Sequence, residues 1–154
     1  MRDWKLPWTG GCRCDRVRVE VTKPPLLASA CHCSGCQKMT ASAYSLSIAV
    51  PADGFAVTRG EPVLGGLQGA SRHFFCAFCK SWMFTRPEGL EWLVNLRPSV
   101  LDEHGWFVPF VELWTQEGLS WARTTARYSF AALPENERFM AMAEEYQAEG
   151  AGPA

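Results

Sequence analysis

Seven cysteines, grouped in three short clusters, constrain this chain more than any other feature of its sequence. We name them in chain order: the first cluster (Cys12, Cys14), the middle cluster (Cys31, Cys33, Cys36) and the last cluster (Cys76, Cys79). Cysteines with only one or two residues between them rarely form a disulfide with each other, and an odd total leaves one thiol over. Buried structural cysteines would instead be scattered along the chain. The clustering therefore predicts sites in which thiolates bind metal.

The spacing within the clusters favours zinc. Both side chains of a C-x-C segment point to the same face of a strand, and a tight turn in C-x-x-C brings two sulfurs around one ion. Zinc takes four ligands in a tetrahedron, and soft thiolates prefer it to cations that bind oxygen. Structural zinc has four protein ligands, whereas catalytic zinc has three and one open position. Seven cysteines therefore predict one closed four-cysteine site and one open three-cysteine site.

The spacing alone leaves open which clusters share an ion. The middle cluster is compact enough to hold a metal by itself, and the first and last clusters would then meet across the fold. In the alternative, the first cluster joins Cys31 and Cys33, and Cys36 joins the last cluster; we favour it less because the middle cluster is so compact. His32 lies between two ligands and faces the other way on a strand. We expect it to pack or to make hydrogen bonds around the site, and a role as fourth ligand is the less favoured alternative.

Length and composition restrict the class of protein. With 154 residues, of which 47% are hydrophobic, the chain fits a single globular domain whose core we expect at about residues 10–121. No apolar run approaches the roughly 20 residues that span a bilayer, and the N-terminal segment lacks the apolar stretch of a signal peptide. Fifteen Lys and Arg against 16 Asp and Glu leave no basic excess for binding nucleic acid. We therefore expect a cytoplasmic protein that binds neither membranes nor nucleic acid.

Alternation of polar and apolar residues predicts a mainly β protein. The run RVRVEV at residues 16–21 alternates residue by residue, as a half-buried strand does, and residues 43–50 repeat the pattern. Shorter strands are predicted at residues 55–58, 72–76, 82–85, 90–96 and 110–114. Breaks that contain Gly or Pro are predicted at residues 24–25, 51–54, 65–66 and 86–89. The pattern therefore indicates several short strands joined by turns.

Two segments are predicted to be helical. Residues 34–40 are expected to form a short helix whose free N–H groups face the thiolates. At about residues 134–148, Pro134 in the first turn, acidic residues near the positive end and Gly150 as a stop indicate a C-terminal helix. Its apolar stripe is expected to pack against the core; it consists of Phe139, Met142, Ala143 and Tyr146.

Three segments carry all seven cysteines: GGCRCDRVRVEV, ACHCSGCQKMTASAY and RHFFCAFCKSWMF. They resemble the glutathione-dependent formaldehyde-activating enzyme family, also called the centromere protein V type, over residues 10–84 and more weakly at residues 113–121. The resemblance implies a small, mostly antiparallel β fold of the Mss4-like type, built as curled sheets that zinc holds together. It also implies that the first and last clusters bind structural zinc, and that the middle cluster binds a second zinc through three thiolates.

The chain departs from this family at two positions. Members usually carry Gly directly after each structural cysteine pair, where this chain has Asp15 and Lys80. Glycine allows the left-handed backbone of a metal knuckle, in which N–H groups point at the sulfurs. Asp tolerates that conformation fairly well, while Lys costs on the order of 1 kcal/mol. Zinc binding contributes roughly ten times as much, so we expect the site to form.

The resemblance implies a carbon–sulfur lyase that acts on glutathione, or another small thiol, and formaldehyde or a related aldehyde. Zinc held by Cys31, Cys33 and Cys36 would bind the thiol at its open position and deprotonate it. Three thiolates on a divalent ion leave a net charge of −1, which disfavours water activation and favours exchange of sulfur ligands. A non-enzymatic zinc module on the same fold is the alternative, with both metals structural.

Glutathione carries two carboxylates, so its site should offer cationic side chains. The chain provides four candidates, namely Lys38, Arg59, Arg72 and Arg97. An ordinary solvated surface position is the favoured interpretation for each of them. Lys38 is the best candidate, because it lies two residues after Cys36.

Overall fold

The computed structural model describes residues 2–67 and 69–154, and strands dominate it. Eleven strands are present in this part of the chain: β1 Trp8–Gly11, β2 Arg18–Val21, β3 Leu27–Cys31, β4 Ser45–Pro51, β5 Phe55–Arg59, β6 Val63–Gly65, β7 Ser71–Phe75, β8 Trp82–Pro87, β9 Leu93–Leu96, β10 Val111–Leu113 and β11 Tyr128–Ser129. The helices are α1 Ser34–Thr40 and α2 Asn136–Glu149, with short 3₁₀ turns at Ala52–Gly54, Pro98–Val100 and Thr115–Glu117. The predicted fold class, mainly β with a C-terminal helix, is confirmed.

The strands form two sheets. One has three antiparallel strands in the order β1-β2-β5, and the other has eight in the order β11-β10-β3-β4-β9-β8-β7-β6. In the larger sheet, β10 pairs in parallel with both β3 and β11, and the other pairs are antiparallel. The mostly antiparallel architecture is therefore as expected, with one parallel strand triplet at one end.

The strand predictions succeed where side chains alternate in polarity and fail where they do not. Strands β2, β4, β5, β7, β8, β9 and β10 fall on predicted segments, with small differences at their ends. Strand β3 was not predicted because residues 28–31 of its sequence LASAC are all small and differ little in polarity, although they alternate between buried and half-buried. Strand β6 contains Gly65, where a turn was predicted, β1 contains two glycines, and β11 is two residues long. The predicted break at residues 86–89 is wrong at its start, because β8 continues to Pro87.

Helix α2 packs its apolar stripe on the core as predicted. Met142 and Tyr146 are fully buried, and the Tyr146 ring lies 5.6 Å from that of Trp4 and 5.5 Å from that of Phe110. The helix begins two residues later than predicted, at Asn136, because the Glu135 carbonyl accepts the first helical hydrogen bonds. Pro134 therefore precedes the helix. Gly150 ends it, as expected.

All the cysteines except Cys31, the last residue of β3, lie in connections between strands. The first cluster follows β1, the last cluster lies in the turn between β7 and β8, and the middle cluster spans the end of β3 and the start of α1. Among the residues that the structure describes, no helix combines the length and the apolar composition needed to cross a membrane.

Candidate metal centres

The first and last clusters, which are distant in sequence, meet in space. The four sulfurs of Cys12, Cys14, Cys76 and Cys79 all lie within 4.8 Å of one another. The Sγ–Sγ distance is 3.6 Å between Cys12 and Cys14 and 3.7 Å between Cys14 and Cys76. Neighbouring sulfurs around a tetrahedral zinc, with Zn–S of about 2.3 Å, are about 3.8 Å apart. The four donors therefore fit one zinc ion, and the alternative grouping with the middle cluster is wrong.

Each half of this site is a tight turn with similar hydrogen bonds. The Cys12 N–H donates to the Val17 carbonyl at 3.0 Å, and the Cys76 N–H donates to the Ser81 carbonyl at 3.0 Å. Both turns place a non-glycine residue in the left-handed region, Asp15 with φ 64° and Lys80 with φ 59°. This is the knuckle conformation expected at the two positions where the family usually has glycine. The Val17 N–H also donates to the Cys12 sulfur at 3.3 Å.

The thiols of this site perturb one another strongly. Burial raises the pKa of Cys79, but hydrogen bonds from the Ser81 hydroxyl and nearby N–H groups prevail and lower it to about 5. For Cys14, a hydrogen bond from the Arg16 N–H opposes the shift, yet burial and the neighbouring sulfurs raise the pKa to about 11. Crowded thiolates repel each other unless a cation lies between them. The donor set is therefore suited to a divalent metal.

The middle cluster forms a second, smaller group. The sulfurs of Cys31, Cys33 and Cys36 lie within 4.8 Å of one another, and all three residues are half-buried. Cys33 is the N-cap of α1, and its sulfur accepts a hydrogen bond from the Cys36 N–H at 3.3 Å. Helix α1 has the predicted bounds, and one of its N–H groups faces a thiol sulfur, as expected. Within residues 2–67 and 69–154, no fourth Cys, His, Asp or Glu belongs to this group.

Charge in the middle cluster is concentrated on Cys36. The Cys31 thiol donates a hydrogen bond to the Cys36 sulfur and, with support from Cys33 and the charge of Arg97, outweighs burial and lowers the pKa of Cys36 to about 5. The same interaction raises the pKa of Cys31. Because the pKa values of these thiols depend on one another, the three cysteines are suited to binding one metal ion as thiolates. This agrees with the metal site that the spacing of the cluster predicts.

His32 faces away from the sulfurs, as the favoured interpretation expects. It is buried, with its Nε2 2.9 Å from a carboxylate oxygen of Glu112, and its ring packs edge-on against Tyr44. Glu112 also accepts hydrogen bonds from the Thr124 N–H at 3.2 Å, the Thr124 hydroxyl at 3.0 Å and the Ser129 hydroxyl at 2.9 Å. This buried network ties the segment between Cys31 and Cys33 to β10. The sequence carries no local signal for it, because Glu112 is 80 residues away.

The four candidate cations lie in different places. Lys38 is exposed on α1, Arg59 is paired with Asp15 at 2.7 Å, and Arg72 lines a cavity formed by residues of β7 and β8. Arg97 is buried, and its guanidinium lies 4.0 Å above the ring of Trp82. Burial lowers the pKa of Arg97 to about 10, opposed by the charges of Cys36 and Cys31. The prediction that Arg97 is solvated is therefore wrong.

Comparison with known proteins agrees with the fold and the cysteine pattern. A sequence profile described as glutathione-dependent formaldehyde-activating enzyme matches residues 7–117, and no curated protein matches the chain. The crystal structure of a Rhodobacter sphaeroides protein is similar, with a TM-score of 0.52 and 21% identity over 61% of this chain and 87% of that one. At this identity the likeness shows a shared fold. Because the profile covers well over half of its length, this chain belongs to the glutathione-dependent formaldehyde-activating enzyme family.

Proposed function

We propose that this protein makes and breaks the carbon–sulfur bond between a small thiol, glutathione in the first place, and formaldehyde or a related aldehyde. The observation that supports it best is the middle cluster: three half-buried sulfurs arranged around one point, with no fourth metal-binding side chain in the described part of the chain. Membership of the family supports the class of reaction. The thiol would take the position that the protein leaves open.

The sulfurs of Cys31, Cys33 and Cys36 would hold the catalytic zinc, and the first and last clusters would hold a structural one. Zinc with three thiolate ligands supplies an open position at which an incoming thiol loses its proton. In the addition, the thiol sulfur forms a bond to the aldehyde carbon, the C=O π bond breaks, and the carbonyl oxygen takes a proton. The reverse reaction breaks the same C–S bond and restores both reactants.

The protein's own side chains would set the charge around the reacting sulfur. The charge of Arg97 stabilises negative charge on Cys36, and the buried His32–Glu112 pair holds the cluster's backbone in place. For the carboxylates of glutathione, Lys38 stays a prediction. It lies on the helix of Cys36, has no ion pair within the described residues, and is free to reach a ligand.

The decisive experiment combines binding with catalysis. We expect glutathione to change the absorption of the cobalt-substituted protein, and the protein to accelerate exchange between glutathione, formaldehyde and their adduct above the spontaneous rate, measured by NMR. Cys36→Ser should abolish both effects, whereas the matched control Ser34→Ala, an exposed position of α1, should retain both. An unchanged spectrum at saturating thiol would overturn the open site. Binding without acceleration would overturn the enzyme and favour a thiol-binding zinc module.

A further inference from the structure

Two arginines lie directly opposite each other on neighbouring strands of the larger sheet. Arg72 of β7 and Arg86 of β8 are partners in the antiparallel register. Like charges in directly opposite positions destabilise a strand pair, because they repel each other across a short distance. The pKa of Arg86 reflects this, since burial and the charge of Arg72 both lower it. An anion held between the two guanidinium groups would remove the repulsion.

Neither arginine has an anionic partner in the described part of the chain. Within residues 2–67 and 69–154, neither side chain forms an ion pair or a hydrogen bond with another residue. Arg86 is half-buried, and its guanidinium lies 5.8 Å from the ring centre of Phe55 and 5.6 Å from that of Phe84. Such contacts orient a guanidinium but satisfy none of its N–H donors. The donors of the pair are therefore available to a ligand.

The arginine pair lines a cavity of about 380 Å³ that is separate from both metal centres. None of the seven cysteines lines it, and its apolar walls include Ala70, Pro87 and Leu93. It shares no residue with the larger cavity, of about 600 Å³, that Tyr44 and Arg97 line near the middle cluster. Cavities of this size hold small organic ligands.

The arginine pair lies on the face of the sheet that points away from the middle cluster. Successive side chains of a strand point to opposite faces, so Arg72 and His73 lie on different faces. The His73 ring contacts that of Trp82, on which the guanidinium of Arg97 stacks. The arginine pair instead faces Phe55, a residue of the smaller sheet. A ligand bound there would not touch the middle cluster.

Two glutamates restrict what else the ligand can carry. Glu88 and Glu91 also line the cavity; both are exposed, and in the described residues neither carboxylate lies within ion-pair distance of an arginine. Hydrogen bonds, first of all from the Gly89 N–H at 2.9 Å, lower the pKa of Glu91, and the charge of Arg72 adds to this. Glu91 is therefore ionised at neutral pH and repels a second anionic group. The rest of the ligand should be neutral or cationic.

We propose that Arg72 and Arg86 bind a phosphate group, either free phosphate or that of a small phosphate monoester. A phosphate monoester carries about −1.5 to −2 charges at pH 7 and has three strong acceptor oxygens. It therefore matches two guanidinium groups in both charge and hydrogen bonding, whereas a carboxylate would balance only one of them. This site is independent of the proposed function, because none of its residues belongs to a metal centre.

Calorimetric titration of the zinc-loaded protein tests the site with two probes, inorganic phosphate and phosphoethanolamine, whose ammonium group suits the glutamates. We expect dissociation constants of about 1 mM or below. Tighter binding of phosphoethanolamine would identify a monoester, and tighter binding of phosphate would identify the free ion. Arg72→Gln and Arg86→Gln should each weaken binding by about tenfold or more. The control Arg138→Gln, an exposed arginine stacked 4.8 Å from the ring centre of Tyr128, should bind both probes as the wild type does.

Thermal denaturation supplies a second measurement. Without phosphate, Arg72→Gln removes the repulsion, so its melting temperature should equal or exceed that of the wild type. With about 10 mM phosphate the wild type should become more stable and the variant should not. Equal stabilisation of both proteins overturns the inference, because the anion then binds elsewhere. Absence of binding of either probe to the wild-type protein at about 10 mM also overturns it, without any variant having to fold, and leaves the proposed function intact.

Discussion

The two cysteine sites use the same ligand in opposite ways. The closed site joins two knuckles whose nearest members, Cys14 and Cys76, are 62 residues apart, and two of its four cysteines are buried. The middle cluster comes from one short segment, and all three of its cysteines are half-buried beside a cavity. A cross-link between distant segments restricts the unfolded chain more than a local one does. The difference supports the proposal that the closed site stabilises the fold and that the open site exchanges ligands.

The largest effect is expected at the closed site. Cys76→Ser removes one of four thiolates, and structural zinc contributes about 10 kcal/mol or more to folding. We expect loss of the cooperative thermal transition and of the β-type circular dichroism spectrum. Ala77→Ser, at an exposed position in the same turn, should keep both. A Cys76→Ser protein that folds without zinc in this site would contradict the proposed role of the closed site in stability.

The matching substitution in the open site should separate function from folding. Cys36→Ser should leave about one zinc per chain instead of about two, and it should retain a cooperative thermal transition, because the closed site is intact. Metal analysis and calorimetry on the same sample would measure both. Equal unfolding of Cys36→Ser and Cys76→Ser would show that the division into two kinds of site is wrong.

An intermediate effect is expected from the buried network behind the middle cluster. Glu112→Ala leaves His32, Thr124 and Ser129 without their shared acceptor, so we expect a loss of about 3 kcal/mol in the free energy of unfolding. Urea denaturation measures this loss, with the exposed Glu103→Ala as the control, expected within about 0.5 kcal/mol of wild type. Thiol binding should weaken while the closed site keeps its zinc. Loss of zinc from the closed site with unchanged thiol binding would contradict the proposed role of Glu112.

The smallest effects on stability are expected in the two turns of the closed site, where Asp15 and Lys80 have a left-handed backbone. Lys80→Gly relieves a left-handed backbone and should stabilise the protein by up to about 1 kcal/mol. Asp15→Gly relieves the same strain but removes ion pairs to Arg18 and Arg59, so its net effect should be near zero. Thermal denaturation of the zinc-loaded proteins measures both. Destabilisation by Lys80→Gly would show that the Lys80 side chain stabilises the protein by more than its left-handed backbone costs.

Much of the fold and the ligand chemistry could be predicted from local patterns. Alternation at residues 16–21 places Val17, Val19 and Val21 in the core, where the structure has them. The bounds of α1 were predictable because the helix directly follows Cys33. Strand β3 was not, since its residues 28–31 alternate in burial but are small and differ little in polarity, so the alternation leaves no clear pattern in the sequence. The parallel pairing of β10 with β3 likewise depends on contacts that no local pattern records.

The sequence by itself determined the division of seven cysteines into four and three, because ligand spacing is local, while the left-handed turns after the structural pairs were implied by the resemblance to the family. Only the tertiary structure decided that Arg97 is buried, and that Glu112 reaches His32. An isolated arginine in a sequence looks the same whether water or a protein interior surrounds it. Its environment comes from packing against Trp82 and the strands around it.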